Sequence, residues 1–247
     1  MKPMVKILAV GLLAAGVGVM AGRMLAPKPD PIPTDPQGKL QYGNKLFANG
    51  KLALPPVDEM TRYQLQTEGQ KPFAVVVSCA DSRVPPELIF NQGLGDLFVV
   101  RTTGHVVSVE SLASIEYAVG HLKTPLIVVL GHSHCAAVQA TLSDKPLAGH
   151  LPQITAHIEP VVRRLRETHP HLKGDALLER VIREHVIHTI QVIRERSAIV
   201  RELHDEGKVQ FAGGVYDLRT GVVEWLKLPE ELGGEASTPT HTGQETH

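Results

Sequence analysis

The sequence predicts an α/β fold in which helices cover both faces of a mainly parallel β-sheet. Short, β-branched apolar runs are bounded by Gly, Pro or polar residues, as fully buried strands are. Segments with apolar residues at helical spacing lie between these runs, and such alternation is typical of parallel sheets. The short, glycine-ending connection Tyr216–Gly221 joins the last two runs and predicts an antiparallel hairpin at one edge.

The elements follow from these patterns in chain order. Strands are predicted at Phe73–Val77, Leu97–Val100, Leu126–Leu130, Val209–Val215 and Val222–Leu226. Helices are predicted at Val109–Leu122, Leu151–Thr168 and Asp175–Arg196. Residues 40–229 therefore form one domain, with enough chain for a substantial core.

The two ends of the chain differ from this domain. Two lysines flank the start of Ile7–Met20, fourteen residues without a charge, and this pattern predicts a secretory signal peptide over residues 1–26. An uncleaved anchor that extends to Leu25 is the alternative, and only this form would attach the protein to a membrane. We expect export, to the bacterial periplasm. Residues 27–39 are a Pro-rich linker and residues 230–247 a disordered tail.

Composition excludes one class of partner. Hydrophobic residues make up 43% of the chain and charged residues 21%, as in globular proteins. There are 25 Lys and Arg against 26 Asp and Glu, for a net charge of −1, and no basic block interrupts the balance. Nucleic-acid binding is therefore not expected.

Two short motifs carry the chemistry, and they contain both cysteines of the chain. Cys79-Ala80-Asp81-Ser82-Arg83 follows the first predicted strand, and His132-Ser133-His134-Cys135 follows the third. Functional side chains of such sheets collect beyond the carboxyl ends of the strands. If these two strands are neighbours, Cys79, His132 and Cys135 converge at one edge.

This set of ligands favours zinc. Two thiolates and one imidazole suit Zn²⁺, and a site with three protein ligands leaves one coordination position open, as catalytic zinc sites do. The alternative is a Cys79–Cys135 disulfide, which is common in exported proteins with two cysteines. A disulfide would explain neither His132 nor the nearby Asp81 and Arg83, so we favour the metal.

The paired motifs resemble those of the β-class carbonic anhydrases. Cys-x-Asp-x-Arg followed about fifty residues later by His-x-x-Cys is similar to the pattern of that family, and the similarity covers roughly residues 40–228. The resemblance implies a zinc enzyme that converts CO2 reversibly to bicarbonate and a proton. It also implies a sheet of four parallel strands with an antiparallel addition, and a homodimer or a tetramer built from dimers.

The resemblance also assigns roles to residues. Cys79, His132 and Cys135 match the zinc ligands of the family, and Asp81 and Arg83 match its catalytic dyad. Zinc lowers the pKa of bound water toward about 7, and the resulting hydroxide attacks CO2. Asp81 would orient this hydroxide while Arg83 holds the carboxylate. If Arg83 released it, Asp81 could itself bind zinc and close the open position, so Asp81 is also a conditional metal ligand.

Other residues either match the family or depart from it. Gln92 matches a glutamine that helps to bind substrate oxygen, although an amide that caps a loop would fit equally well. Ala136 replaces a usual glycine, Thr102–His105 departs from the family's Arg-Asn-x-Gly-Asn, and His185 and His188 lie where an asparagine is often found. The departures could alter the packing of the pocket or the dimer contact.

Three other functions compete with CO2 hydration. The same zinc site could hydrolyse CS2 or COS, since both are linear electrophiles. A non-catalytic, zinc-stabilised binding protein would not need Asp81 and Arg83. A disulfide-linked periplasmic binding domain would hold no metal.

Overall fold

A single five-stranded sheet organises the protein, in a computed structural model that describes residues 31–143 and 145–233. The strand order is β2-β1-β3-β4-β5; the first four strands run parallel and β5 pairs antiparallel with β4. The predicted α/β fold with an antiparallel edge is confirmed. The strands are β1 Ala74–Cys79, β2 Leu97–Thr102, β3 Leu126–His132, β4 Gln210–Tyr216 and β5 Val223–Trp225.

The three predicted helices are present, with one difference in hydrogen bonding. The helix that begins at Val109 is α-helical only to Glu116 and continues as a π-helical turn over Tyr117–His121. Short 3-10 turns lie at Thr103–His105 and Glu230–Leu232. The α-helices are α1 Pro36–Ala48, α2 Glu59–Glu68, α3 Pro86–Ile89, α4 Val109–Glu116, α5 Ala136–Leu142, α6 Leu151–Thr168, α7 Gly174–Arg196 and α8 Ala198–Asp205.

Alternate residues of the central strands point to opposite faces of the sheet and pack in two separate hydrophobic clusters. Val75 and Val77 of β1 pack with apolar residues of α4 and α7 on one face of the sheet. Ala74 and Val76 pack with residues of α1 and α3 on the other face. Every residue of β1 and β3 is buried, and for this reason the two strands have continuous apolar runs instead of an alternating pattern.

Two glycines let α7 approach the sheet closely. A Cβ atom on Gly131 would lie 2.7 Å from Cγ2 of Val186, and one on Gly213 would lie 3.0 Å from its Cγ1. Val186 therefore fills the space that missing side chains leave on β3 and β4. This contact holds α7 next to the carboxyl end of β3.

Helix α1 begins inside the segment predicted as a linker. The Asp35 side chain accepts a hydrogen bond from the backbone N–H of Gly38 at 2.7 Å, and proline occupies the first turn, as in many helix starts. The buried Asn44 then ties α1 to the domain: its amide donates to the carbonyls of Ile89 and Gly221, and its oxygen accepts from the N–H of Val223. The domain therefore includes residues before residue 40.

The opposite end of the domain also extends further than predicted. Leu232 is 1% exposed and packs in the core beside α7, so the first residues of the predicted tail belong to the domain. The predicted signal peptide over residues 1–26, and the tail beyond residue 233, lie outside the described residues. None of the helices in the described part of the chain is both long and apolar enough to cross a membrane.

Candidate metal centre

The carboxyl ends of β1 and β3 bring the two motifs together. Cys79 is the last residue of β1 and His132 the last of β3, and these strands are neighbours in the sheet. His134, which is exposed, adopts a left-handed φ of 53°, and the chain turns there so that Cys135 stands directly before the first residue of α5. The two sulfurs and a ring nitrogen of His132 all lie within 4.8 Å of one another. The convergence predicted from the motifs is confirmed.

His132 is oriented by its own turn. Its Nδ1 lies 2.9 Å from the carbonyl oxygen of Ser133, which can only accept, so Nδ1–H is the donor and Nε2 carries the lone pair. Ser133 is fixed in turn, because its N–H donates to the carbonyl of Tyr216 and its hydroxyl accepts from the N–H of Leu218. The Nε2 atom is buried and has no hydrogen-bond partner among the described residues. A lone pair in such a place fits a metal ligand.

The two cysteines are free and buried, at 4% and 0% exposure. A hydrogen bond between them lowers the pKa of Cys79 and raises that of Cys135. A divalent cation would stabilise both thiolates. Within the described residues, one group of three or more Cys, His, Asp or Glu side chains lies close enough together to hold one ion. It consists of Cys79, His132 and Cys135. Two sulfurs and one nitrogen fit zinc in ligand type and number.

Asp81 and Arg83 form a bidentate ion pair at the border of this cluster. Nε of Arg83 donates to Oδ1 of Asp81 at 2.9 Å, and Nη2 donates to Oδ2 at 2.7 Å. The backbone N–H of Arg83 also donates to Oδ1. These hydrogen bonds hold the pKa of Asp81 well below its usual range, so the carboxylate stays ionised. Its Oδ2 lies 4.0 Å from Nε2 of His132.

Arg101, which the sequence patterns do not single out, contacts the backbone of the first motif. From β2, its Nε donates to the carbonyl of Cys79 at 3.1 Å and its Nη2 donates to the carbonyl of Asp81 at 2.6 Å. The guanidinium thus fixes the backbone that joins the first thiolate to the dyad. The available signal is a charged side chain directly after the apolar run of β2.

The Gln92 side chain makes a contact within its own loop. Its amide donates to the carbonyl of Phe90 at 2.6 Å, in the loop after α3, and lies beside Gly43 of α1. The amide nitrogen thus caps its own loop, and a role of Gln92 in binding substrate stays a prediction. Two buried histidines, His105 and His185, pack against each other with ring centroids 4.5 Å apart.

Comparisons with known proteins agree with this geometry. The family model described as "Carbonic anhydrase" matches residues 74–223. The carbonic anhydrase of Mycolicibacterium smegmatis is 40% identical over 189 residues, which cover 75% of this chain and 89% of the relative. Carbonic anhydrase 2 of Mycobacterium tuberculosis is 40% identical over 186 residues, covering 74% of this chain and 87% of that protein.

Solved structures give the same result for the fold. A tetrameric β-carbonic anhydrase from Sordaria macrospora superposes with a TM-score of 0.63 at 27% identity, over 75% of this chain and 93% of that one. A Coccomyxa β-carbonic anhydrase in complex with acetazolamide has a TM-score of 0.63 at 29% identity, over 68% of this chain and 78% of its own.

Proposed function

This chain belongs to the β-class carbonic anhydrase family, and we propose that it hydrates CO2 reversibly to bicarbonate and a proton at a Zn²⁺ ion held by Cys79, His132 and Cys135. The observation that carries the proposal is a buried Cys-His-Cys cluster bordered by an ionised, arginine-held carboxylate. A purely structural zinc site would have no use for this carboxylate.

A bound Zn²⁺ would supply the nucleophile, and Asp81 would orient it. When bound, Zn²⁺ would lower the pKa of water toward about 7 and so provide hydroxide near neutral pH. Cys79, His132 and Cys135 would hold the ion, and a fourth ligand position would stay free for water. Oδ2 of Asp81 accepts only one hydrogen bond from Arg83, so it retains a lone pair toward the cluster. Asp81 can therefore accept the hydrogen bond that aims the oxygen at CO2.

The two arginines hold Asp81 in the orientation that this step requires. Arg83 donates hydrogen bonds to both carboxylate oxygens of Asp81. Arg101 donates to the backbone carbonyls of Asp81 and Cys79. Charge-assisted, bidentate contacts of this kind are strong and directional. While the Arg83 contact lasts, Asp81 is held as a hydrogen-bond acceptor. Its service as a metal ligand would require that contact to break.

We expect one zinc per chain and CO2 hydration that depends on it. The test is stopped-flow measurement of CO2 hydration on zinc-analysed protein, before and after removal of the metal with a chelator and after zinc is returned. Activity should disappear with the metal and return with it. Zinc-loaded protein that hydrolyses CS2 or COS but leaves CO2 unchanged would overturn the proposal, and so would a metal-free protein with a Cys79–Cys135 disulfide.

We also propose that the protein is a homodimer or a tetramer built from dimers. No residue of α2 is buried, and apolar side chains on and before it are exposed, which is unusual for a helix without a partner. These side chains belong to Leu52, Leu54, Val57, Met60 and Tyr63. The Sordaria macrospora relative is described as tetrameric. Sedimentation velocity at micromolar concentration should show a dimer or tetramer; a stable monomer would contradict this.

A further inference from the structure

A chain of two hydrogen bonds links α7 to the first thiolate ligand. Nε2 of His185 lies 3.0 Å from the carbonyl oxygen of Gly104, and the N–H of Gly104 donates to Sγ of Cys79 at 3.2 Å. A carbonyl can only accept, so Nε2–H is the donor. We infer that His185 is a positioning residue of the metal centre, which holds Gly104 so that its N–H is aimed at the sulfur of Cys79.

Gly104 needs such a restraint because of its own conformation. It has φ 68° and ψ 20°, in the left-handed region that glycine adopts without strain. A Cβ atom there would lie 2.8 Å from Cβ of Ala137 at the start of α5, so the close packing also requires glycine. Glycine is the residue with the greatest backbone freedom, so the direction of its peptide groups depends on external contacts.

The surrounding loop is closed independently of His185. The hydroxyl of Thr102 donates to the carbonyl of Val106 at 2.6 Å, and the N–H of Ala80 donates to the carbonyl of Thr102 at 3.0 Å. These bonds fix the ends of the loop on either side of Gly104. The carbonyl of Gly104 itself, at the middle of the loop, is held by His185.

His185 is rigid enough to serve this purpose. It is 1% exposed, and the neighbouring Val186 seats α7 on the glycines of β3 and β4. The buried ring of His105 packs against it, with centroids 4.5 Å apart. A buried side chain that is packed in this way can impose its geometry on the Gly104 peptide group.

The N–H···S hydrogen bond has a definite effect on a metal thiolate. It orients the sulfur and withdraws electron density from it, which makes the bound ion a stronger Lewis acid. Contacts one layer beyond the ligands commonly change metal affinity about 10- to 100-fold when they are lost. The inference rests on the proposed zinc site.

The test compares three variants with the wild-type protein. His185→Phe keeps an aromatic ring but removes the donor, His185→Gln keeps an N–H at similar reach, and His188→Phe is a matched control one turn further along α7. We expect His185→Phe to bind zinc about 10-fold more weakly in chelator competition and to shift the sulfur-to-metal charge-transfer band of the Co²⁺-substituted protein. The Gln variant should restore both values toward wild type, and the control should change neither.

A role limited to packing would lower the melting temperature and leave these readouts unchanged. The inference is wrong if folded His185→Phe retains the wild-type zinc affinity and Co²⁺ spectrum, or if the Gln variant behaves as the Phe variant does.

A second measurement needs no variant. In ¹¹³Cd-substituted wild-type protein, the Gly104 amide proton should show scalar coupling to the metal through Sγ of Cys79. Absence of this coupling in metal-loaded protein would overturn the inference about the Gly104 hydrogen bond and leave the proposed function standing. Failure of the wild-type protein to bind Zn²⁺, Co²⁺ or Cd²⁺ would instead overturn the proposed function.

Discussion

Replacing Cys79 with serine is expected to remove zinc from the protein and to reduce CO2 hydration by about 1000-fold or more, because the water activated by the metal is lost with it. A serine hydroxyl stays protonated near neutral pH and is a poor ligand for zinc compared with a thiolate. The remaining ligands, His132 and Cys135, are too few to hold the ion tightly. Metal analysis by mass spectrometry, together with stopped-flow CO2 hydration, measures both effects.

Ser82→Ala is the matched control for this variant. Ser82 lies in the same motif, between Asp81 and Arg83, but its side chain is exposed. The control should retain one zinc per chain and wild-type turnover. If Cys79→Ser also retains its zinc, Cys79 is not a ligand and the proposed centre is wrong.

Asp81→Asn is expected to retain zinc but to reduce CO2 hydration roughly 100- to 1000-fold. The amide has nearly the shape of the carboxylate but no charge, so it loses the ion pair with Arg83 and much of its strength as a hydrogen-bond acceptor. Zinc content should not change, since the ligand atoms of the cluster come from other residues. Equal turnover in the two proteins would show that the ion pair has no part in the reaction.

The pH dependence of activity distinguishes protonation of Asp81 from protonation of the nucleophile. Arg83 lowers the pKa of Asp81 in the folded protein, so the carboxylate is ionised above that pKa and loses its charge only when the pH falls through it. Between about pH 6 and pH 8 Asp81 therefore keeps its charge. We expect any loss of wild-type activity on acidification through this range to come from protonation of the nucleophile, and Asp81→Asn should keep the same midpoint at lower activity.

The convergence of the ligands could be predicted because its causes are local in sequence. The runs that precede Cys79 and His132 are β-branched and continuous, which identifies buried strands and places both residues at carboxyl ends. The contacts that refine the site are different. Arg101 and His185 act on backbone carbonyls that lie 20 or more residues away in the chain, and no local pattern reports such contacts.

The helices before the sheet were missed for another reason. Prolines around Asp35 suggested an extended linker, although Asp-Pro is also a common helix start. Helix α2 is only ten residues long, so its few apolar residues do not repeat often enough to identify a helix from the sequence. Gln92 was matched by family resemblance alone, and the structure uses its amide within its own loop.

The buried amide of Asn44 limits how many N-terminal residues can be removed from the protein. This one side chain joins α1 to Ile89 of α3 and to Gly221 and Val223 at the start of β5. These two regions lie far apart in the sequence. A shortened form that begins at residue 40 would lack the Asp35 cap and the first turn of the helix that carries Asn44. Truncation for crystallisation, or fusion to a carrier, should therefore keep the chain from Asp35 onward.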